Sequence, residues 1–396
     1  MKINKNIYII NGSYFCEPMM GVQRFAYETV NELDKLMSEK FNLSNDEKTE
    51  NKKTENKKTE DKKTGAASKG IKLILCIPNC ELETEIPRFN YIEVIREGKH
   101  TGKRFEQFEL PKILRRYKAL GINLCNSLPF TYPYGIACIH DIAFKTHPEF
   151  FTEKGDNREM AFRKLLYKRA FDKCDAILTV SEFARKEILD NYKVKGHISV
   201  TCNGWQHYRS DDMDNSIIEK IGQFPEYYFY MASLSKNKNI NWILDNARFN
   251  PDKYYVLSGR MLGEDANLKA LPNVIYLGYV TDAEARALMH NCKAFLFPSI
   301  YEGFGIPPME AMCMGARIVV GDIEVMHEIY GDSAVYVDTA DAKVKIDDLM
   351  LAWDKTHANS DYKNEVLKVL DRYSWKKSAE CLLEEVCRVS AGDRSQ

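Results

Sequence analysis

Ser299-Ile300-Tyr301-Glu302-Gly303-Phe304-Gly305-Ile306-Pro307-Pro308-Met309-Glu310-Ala311-Met312 is the stretch that decides the fold. Apolar Ala294-Phe295-Leu296-Phe297 precedes it and reads as a buried strand. The proline pair reads as the first turn of a helix, where a missing N–H is tolerated. The order is therefore strand, glycine loop, helix start. Glycines let a backbone approach a ligand closely. Free N–H groups and the dipole at a helix start favour an anion. Glu302 and Glu310 would repel that anion, so they read as acceptors for hydroxyl groups beside it. Hydroxyls next to phosphate point to a sugar nucleotide.

Outward from this stretch, the second half reads as alternating strands and helices. Tyr227 to Met231, Tyr254 to Leu257, Val274 to Leu277, Arg317 to Val320 and Ala334 to Val337 are apolar runs of strand length. Helices are expected from Trp242 and over Asp282 to Asn291. The first half follows the same plan. Strands are expected at Ile7 to Ile10, Ile71 to Ile77, Gly135 to Ile139, Ala176 to Val180 and Ile198 to Thr201. Helices are expected from Gly21 to Leu33, over the basic segment Asn157 to Cys174, and after Ser181, a natural N-cap. Two successive βαβ series predict two doubly wound domains, with ligands at the carboxyl ends of their strands.

Asp46 to Thr64 interrupts the first series with a five-residue repeat that holds no apolar residue. Such a segment cannot bury a face, so residues 44–70 read as a disordered surface insertion or a fraying solvated helix. The expected domains are 1–207, 208–374, and a helix over 375–396 that packs back on the first.

Composition sets bounds on this scheme. The chain has 396 residues, 44% hydrophobic and 29% charged, as in a globular protein. No apolar run reaches the ~18 residues of a membrane span. The short apolar run at Ile7 reads as a first strand rather than a signal segment. Eleven cysteines without a CxxC pair read as reduced, buried thiols of a cytosolic protein. The formal net charge of −1 divides into +8 over residues 1–210 and −9 over the remainder. A basic half and an acidic half suggest domains with different partners.

Together these segments resemble the retaining glycosyltransferase family 4, of GT-B architecture: two Rossmann-like domains facing across a cleft. Glu302 and Glu310 look like that family's E-x7-E motif. Gly21-Val22-Gln23-Arg24, Cys138-Ile139-His140-Asp141, Thr179 to Ala184, Leu277-Gly278-Tyr279-Val280, Gly331 to Ala334 and Tyr373-Ser374-Trp375 extend the likeness. One position departs from it. In Ala232-Ser233-Leu234-Ser235-Lys236-Asn237-Lys238-Asn239, Lys238 matches the family lysine, but Asn237 stands where arginine is usual.

The resemblance implies a metal-independent hexosyltransferase that uses a nucleoside-diphosphate sugar (UDP, GDP or dTDP) as substrate, with no cofactor and no metal. Its acceptor would be a glycan or lipid-linked glycan of a cell-surface polysaccharide. The expected location is the cytoplasm or inner membrane face, with peripheral membrane contact through the basic helix and no nucleic acid. Glu302, His140 and Lys238 would serve catalysis. Gly21, Lys236, Gly278, Tyr279, Gly303, Phe304, Gly305 and Glu310 would bind the donor. The competing reading is a non-catalytic sugar-nucleotide or glycan-binding protein with a decayed site. A dehydrogenase would need G-x-G-x-x-G after a strand, and neither half has it.

Overall fold

The computed structural model describes residues 3–50, 70–151, 156–222, 224, 226–233, 235–259, 271–357 and 362–392. The chain divides into two compact units, Met1–Asn203 with Trp375–Gln396, and Gly204–Ser374.

The first unit carries a seven-stranded parallel sheet. Its strands are β1 (Ile7–Asn11), β2 (Lys72–Ile77), β3 (Glu93–Arg96), β4 (Leu120–Asn123), β5 (Gly135–Cys138), β6 (Ala176–Thr179) and β7 (His197–Val200), in the order β3-β2-β1-β4-β5-β6-β7. β1 is the first strand laid down and pairs with β2 on one side and β4 on the other. Chain order reverses there, which opens a crevice at the carboxyl ends of the two strands. β4, β5 and β6 are buried at every position, as expected of parallel strands covered on both faces.

Two strands escape a reading by apolar runs. β3 is a short, largely exposed edge strand whose two apolar residues stand between Glu93 and Arg96. β4 has only four residues, two of them Gly121 and Asn123. Buried Asp34, on the helix Gly21–Glu50, holds the approach to β3 by accepting backbone N–H bonds from Asn90, Tyr91 and Ile92 at 2.8–2.9 Å. The helix Gly21–Glu50 runs well past Leu33 and into the start of the repeat. Residues 51–69 of the insertion lie outside the described residues.

The terminal helix Trp375–Ala391 packs along the helix Gly21–Glu50. Tyr8 of β1 hydrogen-bonds to Val386 O at 3.0 Å and Ser390 Oγ at 2.9 Å. Trp375 and Phe25 meet edge to face. One expectation is corrected here. Cys16 and Cys80 form a disulfide, with Cα atoms 6.5 Å apart, while the other nine cysteines are free. The pair is 64 positions apart, so neither spacing nor local pattern advertises it.

The second unit carries a six-stranded parallel sheet of β8 (Tyr227–Met231), β9 (Tyr254–Ser258), β10 (Val274–Tyr276), β11 (Ala294–Phe297), β12 (Ile318–Gly321) and β13 (Val335–Val337). The order is β10-β9-β8-β11-β12-β13, the 3-2-1-4-5-6 arrangement of a dinucleotide-type fold. Its switch point lies between β8 and β11, which pair directly. The helix Asp282–Asn291 begins with a complete capping box of Thr281 and Glu284. Among the described residues, no helix is long and apolar enough to cross a membrane.

Candidate functional site

The site of the second unit is built on the two loops that leave β8 and β11. They diverge from adjacent strands, so residues far apart in sequence meet. Lys238 Nζ lies 2.5 Å from Glu302 Oε1, and both side chains are largely buried. The lysine ammonium also sits over the Phe297 ring, 5.1 Å from its centre.

The two loops are fastened by a ladder of asparagines. Asn237 O accepts from Ile300 N at 2.8 Å, and Asn237 Nδ2 donates to Tyr301 O at 3.1 Å. Asn239 Nδ2 donates to Pro298 O at 3.1 Å and to Thr339 O at 2.9 Å. Asn239 takes φ +56° at the start of the helix Ile240–Phe249, a left-handed conformation that asparagine tolerates. Asn237, where a cation was expected, therefore serves as a fastener: its Oδ1 accepts from Ser235 Oγ at 2.7 Å. Lys236 is exposed, on the same short turn as Lys238.

The glycine loop ends at Gly305, with φ +91°, as the cap of the helix Ile306–Cys313. The positive φ is what calls for glycine here; a Cβ would come within 2.7 Å of Met326 Cε, the movable end of a flexible side chain. Gly305 O accepts from buried Tyr330 OH. Phe304 is buried and packs edge to face on Tyr373, 5.2 Å between ring centres.

The helix start is a weaker anion site than a glycine loop alone suggests. Pro307 and Pro308 each lack an N–H, so the backbone donors are those of Gly303, Phe304, Gly305 and Ile306. Ser299 and Ser258, both buried, have Oγ atoms without a hydrogen-bond partner among the described residues. They stand just beyond the end of β11 and at the end of β9.

Glu310 lies one turn into the helix and is buried. His207 Nε2 lies 2.8 Å from its Oε1, and both side chains are nearly inaccessible. The motif's two carboxylates thus have separate partners, Glu302 with Lys238 and Glu310 with His207. Sequence reading missed His207, which lies 103 positions from Glu310. Gly278 (φ +73°) and the 80%-exposed Tyr279 follow β10, and Gly278 O accepts from Gly259 N.

In the first unit, His140 follows β5 and is buried. Its Nε2 is 2.9 Å from Leu124 O, and its backbone N donates to Asn126 Oδ1 at 2.7 Å. A carbonyl only accepts, so Nε2 carries the hydrogen and Nδ1 keeps its lone pair. Phe25 packs edge-on against the ring, 4.8 Å between centres. Burial pushes the imidazole pKa down to about 4, and the bond to Leu124 opposes this. His140 is therefore neutral near pH 7. Asp141 Oδ1 accepts from Ala143 N at 3.1 Å, so it caps the following turn. Gly21 is exposed and opens the long helix, and Arg24 pairs with Glu28.

Residues 214–366 match the family described as glycosyl transferases group 1. The chain is 30% identical over 216 residues to the O-antigen chain mannosyltransferase RfbU of Salmonella typhimurium, covering 52% of this chain. It is 29% identical over 231 residues to the O-antigen chain mannosyltransferase B of Escherichia coli, covering 54% of this chain. The chain spans 57% and 60% of the length of these two relatives. Among solved structures, the sucrose-phosphate synthase of Thermosynechococcus elongatus matches with TM-score 0.64 at 14% identity, over 98% of this chain and 100% of that one. HepE of Anabaena, in complex with UDP-glucose, matches with TM-score 0.60 at 12% identity, over 96% and 98% of the two chains. The fold is thus GT-B, and residues 214–366 are similar to the glycosyl transferases of group 1.

Proposed function

We propose that the protein is a retaining, metal-independent glycosyltransferase. It moves a hexose from a nucleoside-diphosphate sugar (UDP, GDP or dTDP) to a growing glycan or lipid-linked oligosaccharide. The names of the relatives favour mannose as the hexose and O-antigen-type polysaccharide as the product. The observation that carries this reading is the Lys238–Glu302 pair at the β8/β11 switch point, inside the region that matches the family.

The acceptor oxygen forms a bond to the anomeric carbon on the face from which the diphosphate departs. The carbon–oxygen bond to the diphosphate breaks, and the departing phosphate oxygen takes the acceptor's proton. Charge builds on the diphosphate, so the main task is its neutralisation by fixed cations and N–H groups. Lys238, Lys236 and the N–H groups of Gly303, Phe304 and Gly305 are assigned that role. Lys238 divides its charge between Glu302 and the phosphates. Glu310, oriented by His207, takes the ribose hydroxyls, and Glu302 faces the sugar. Gly278 and Tyr279 are assigned to the base. In the first unit, neutral His140 offers Nδ1 to a sugar hydroxyl, and Gly21 is assigned to the donor phosphate. The basic helix Asp156–Lys173 is assigned to contact with the inner face of the membrane.

Asn237 favours a second reading, a binding protein with a decayed transferase site, because one expected cation is missing. Turnover of labelled GDP-mannose, UDP-glucose and dTDP-rhamnose separates the two. The transferase reading expects sugar transfer or slow hydrolysis, lost in Lys238→Ala. Saturable nucleotide-sugar binding with neither outcome would support the binding protein.

A further inference from the structure

The loop that leaves β4, Leu124 to Ser127, joins His140 to a buried carboxylate that the transferase reading does not use. Each of its residues makes a tie. Leu124 O accepts from the His140 ring at 2.9 Å. Cys125 Sγ donates to Val22 O, 3.8 Å away on the helix Gly21–Glu50. Asn126 turns the chain at φ +55°, and its Oδ1 accepts from His140 N at 2.7 Å. Ser127 Oγ donates to Glu106 Oε2.

Glu106 stands on a single π turn, Phe105–Glu109, that precedes the helix Leu110–Tyr117. Such turns are frequent at functional sites. The carboxylate is buried, and Ser127 and Gln107, the side chains bonded to it, are both neutral. Gln107 extends the hold: Nε2 also donates to Leu128 O at 3.0 Å, and Oε1 accepts from Phe130 N at 2.9 Å. Glu106 and Gln107 thus pin the segment that grips His140.

A carboxylate is a costly pin, because burial disfavours its charge. What it supplies is a strong acceptor, which holds a hydroxyl more tightly than a neutral oxygen does. The consequence falls on His140. Leu124 O only accepts, so its position keeps the ring hydrogen on Nε2. If that carbonyl moves away, the hydrogen can pass to Nδ1, which then donates where it had accepted. Phe25 packs edge-on against the ring, and it does not choose between the nitrogens.

We propose that Glu106 and Ser127 are positioning residues for His140: by fixing the loop Leu124 to Ser127, they keep the lone pair of Nδ1 on offer. They act through the loop and not on the reacting atoms. The inference deepens the role given to His140 above, and its consequence for activity rests on that role. Its consequence for the tautomer stands on the first unit alone.

The test is nitrogen NMR of the full chain, isotopically labelled at histidine, with the His140 signals assigned by their loss in His140→Gln. At pH 7 the wild type should show one tautomer, with the hydrogen on Nε2. Ser127→Ala and Glu106→Leu should move both ring nitrogens toward the average of two exchanging tautomers. Glu106→Gln still offers Ser127 an acceptor and should keep the wild-type pattern. His147 and His197, elsewhere in the first unit, should hold their signals throughout. With whichever of GDP-mannose, UDP-glucose and dTDP-rhamnose the wild type turns over, Ser127→Ala and Glu106→Leu should lower kcat about tenfold and leave donor KM within about twofold. Unmoved His140 signals in both variants overturn the proposal, as does a wild type with the hydrogen on Nδ1. So does an equal drift of His147 and His197, which marks general loosening, or an unchanged kcat beside a shifted tautomer. If Glu106→Leu does not fold, Ser127→Ala, a smaller cut at a half-buried residue, decides alone. A wild type without turnover sinks the transferase reading, and the tautomer result then judges the proposal by itself.

Discussion

Lys238 Nζ and Glu302 Oε1 are 2.5 Å apart, although 64 positions separate the residues. Adjacent parallel strands bring them together, and the asparagine ladder keeps them there. Substitution of either partner strands a largely buried charge. Lys238→Met or Glu302→Gln alone should destabilise by about 1–3 kcal/mol. The double substitution should be milder than the sum of the two. Denaturant unfolding of the four proteins measures the coupling, and additive losses would contradict it.

His140 gives the stability a defined pH dependence. Its folded pKa of about 4 lies below the ~6.5 of an unfolded histidine. Between those values the unfolded chain binds the proton and the native protein does not, so stability falls as pH falls. From pH 7.5 to pH 5 this group alone should remove about 2 kcal/mol. His140→Gln should abolish that part of the slope, as read from urea midpoints across the range. An unchanged slope would mean that the imidazole is not held neutral.

Glu106 behaves in the opposite sense. Burial raises its pKa, while bonds from Ser127 and Gln107 oppose the shift. A raised carboxyl favours the protonated form in the folded state, so its ionisation weakens the fold as pH rises above the ordinary carboxyl range. Glu106→Gln keeps an acceptor and removes that charge. It should leave acid stability nearly unchanged and raise the stability of the protein at neutral pH. Thermal midpoints at pH 4 and pH 7.5 check both halves.

Eleven cysteines and one disulfide make a countable prediction. Alkylation in denaturant without reductant should label nine thiols, and eleven after reduction. The bond closes a loop of 64 residues, so Cys16→Ser/Cys80→Ser should destabilise the oxidised protein by about 4 kcal/mol. Eleven labelled thiols before reduction would show the pair to be open.

The strands that face core on both sides were legible because their apolar runs have no other use. Ala294–Phe297 and Tyr227–Met231 are such runs, and the helix Asp282–Asn291 was legible from its place in the alternation of strands and helices. β3 was not legible, because its Val94-Ile95 pair between two charged residues is too short to mark a strand, and Asp34 fixes the approach to it from another element. In the site, the glycine loop and its two carboxylates stood out, and Lys238 was found through family likeness. His207, on the short helical turn Gln206–Tyr208, was not found, since a lone histidine carries no mark of its partner.

The sequence by itself determined the alternation of strands and helices, the two doubly wound units, and the strand–glycine loop–helix at 294–313. These follow from periodicity, caps and backbone freedom, all local properties. Tertiary structure alone decided the partners. Glu302 meets Lys238, Glu310 meets His207, Asn237 fastens loops instead of binding charge, and Cys16 meets Cys80. Strand order sets the meetings of Glu302 with Lys238 and of Cys16 with Cys80, since each pair follows two adjacent strands. Strand order depends on which faces bury the most surface together, a sum over the whole unit that no short stretch of chain contains.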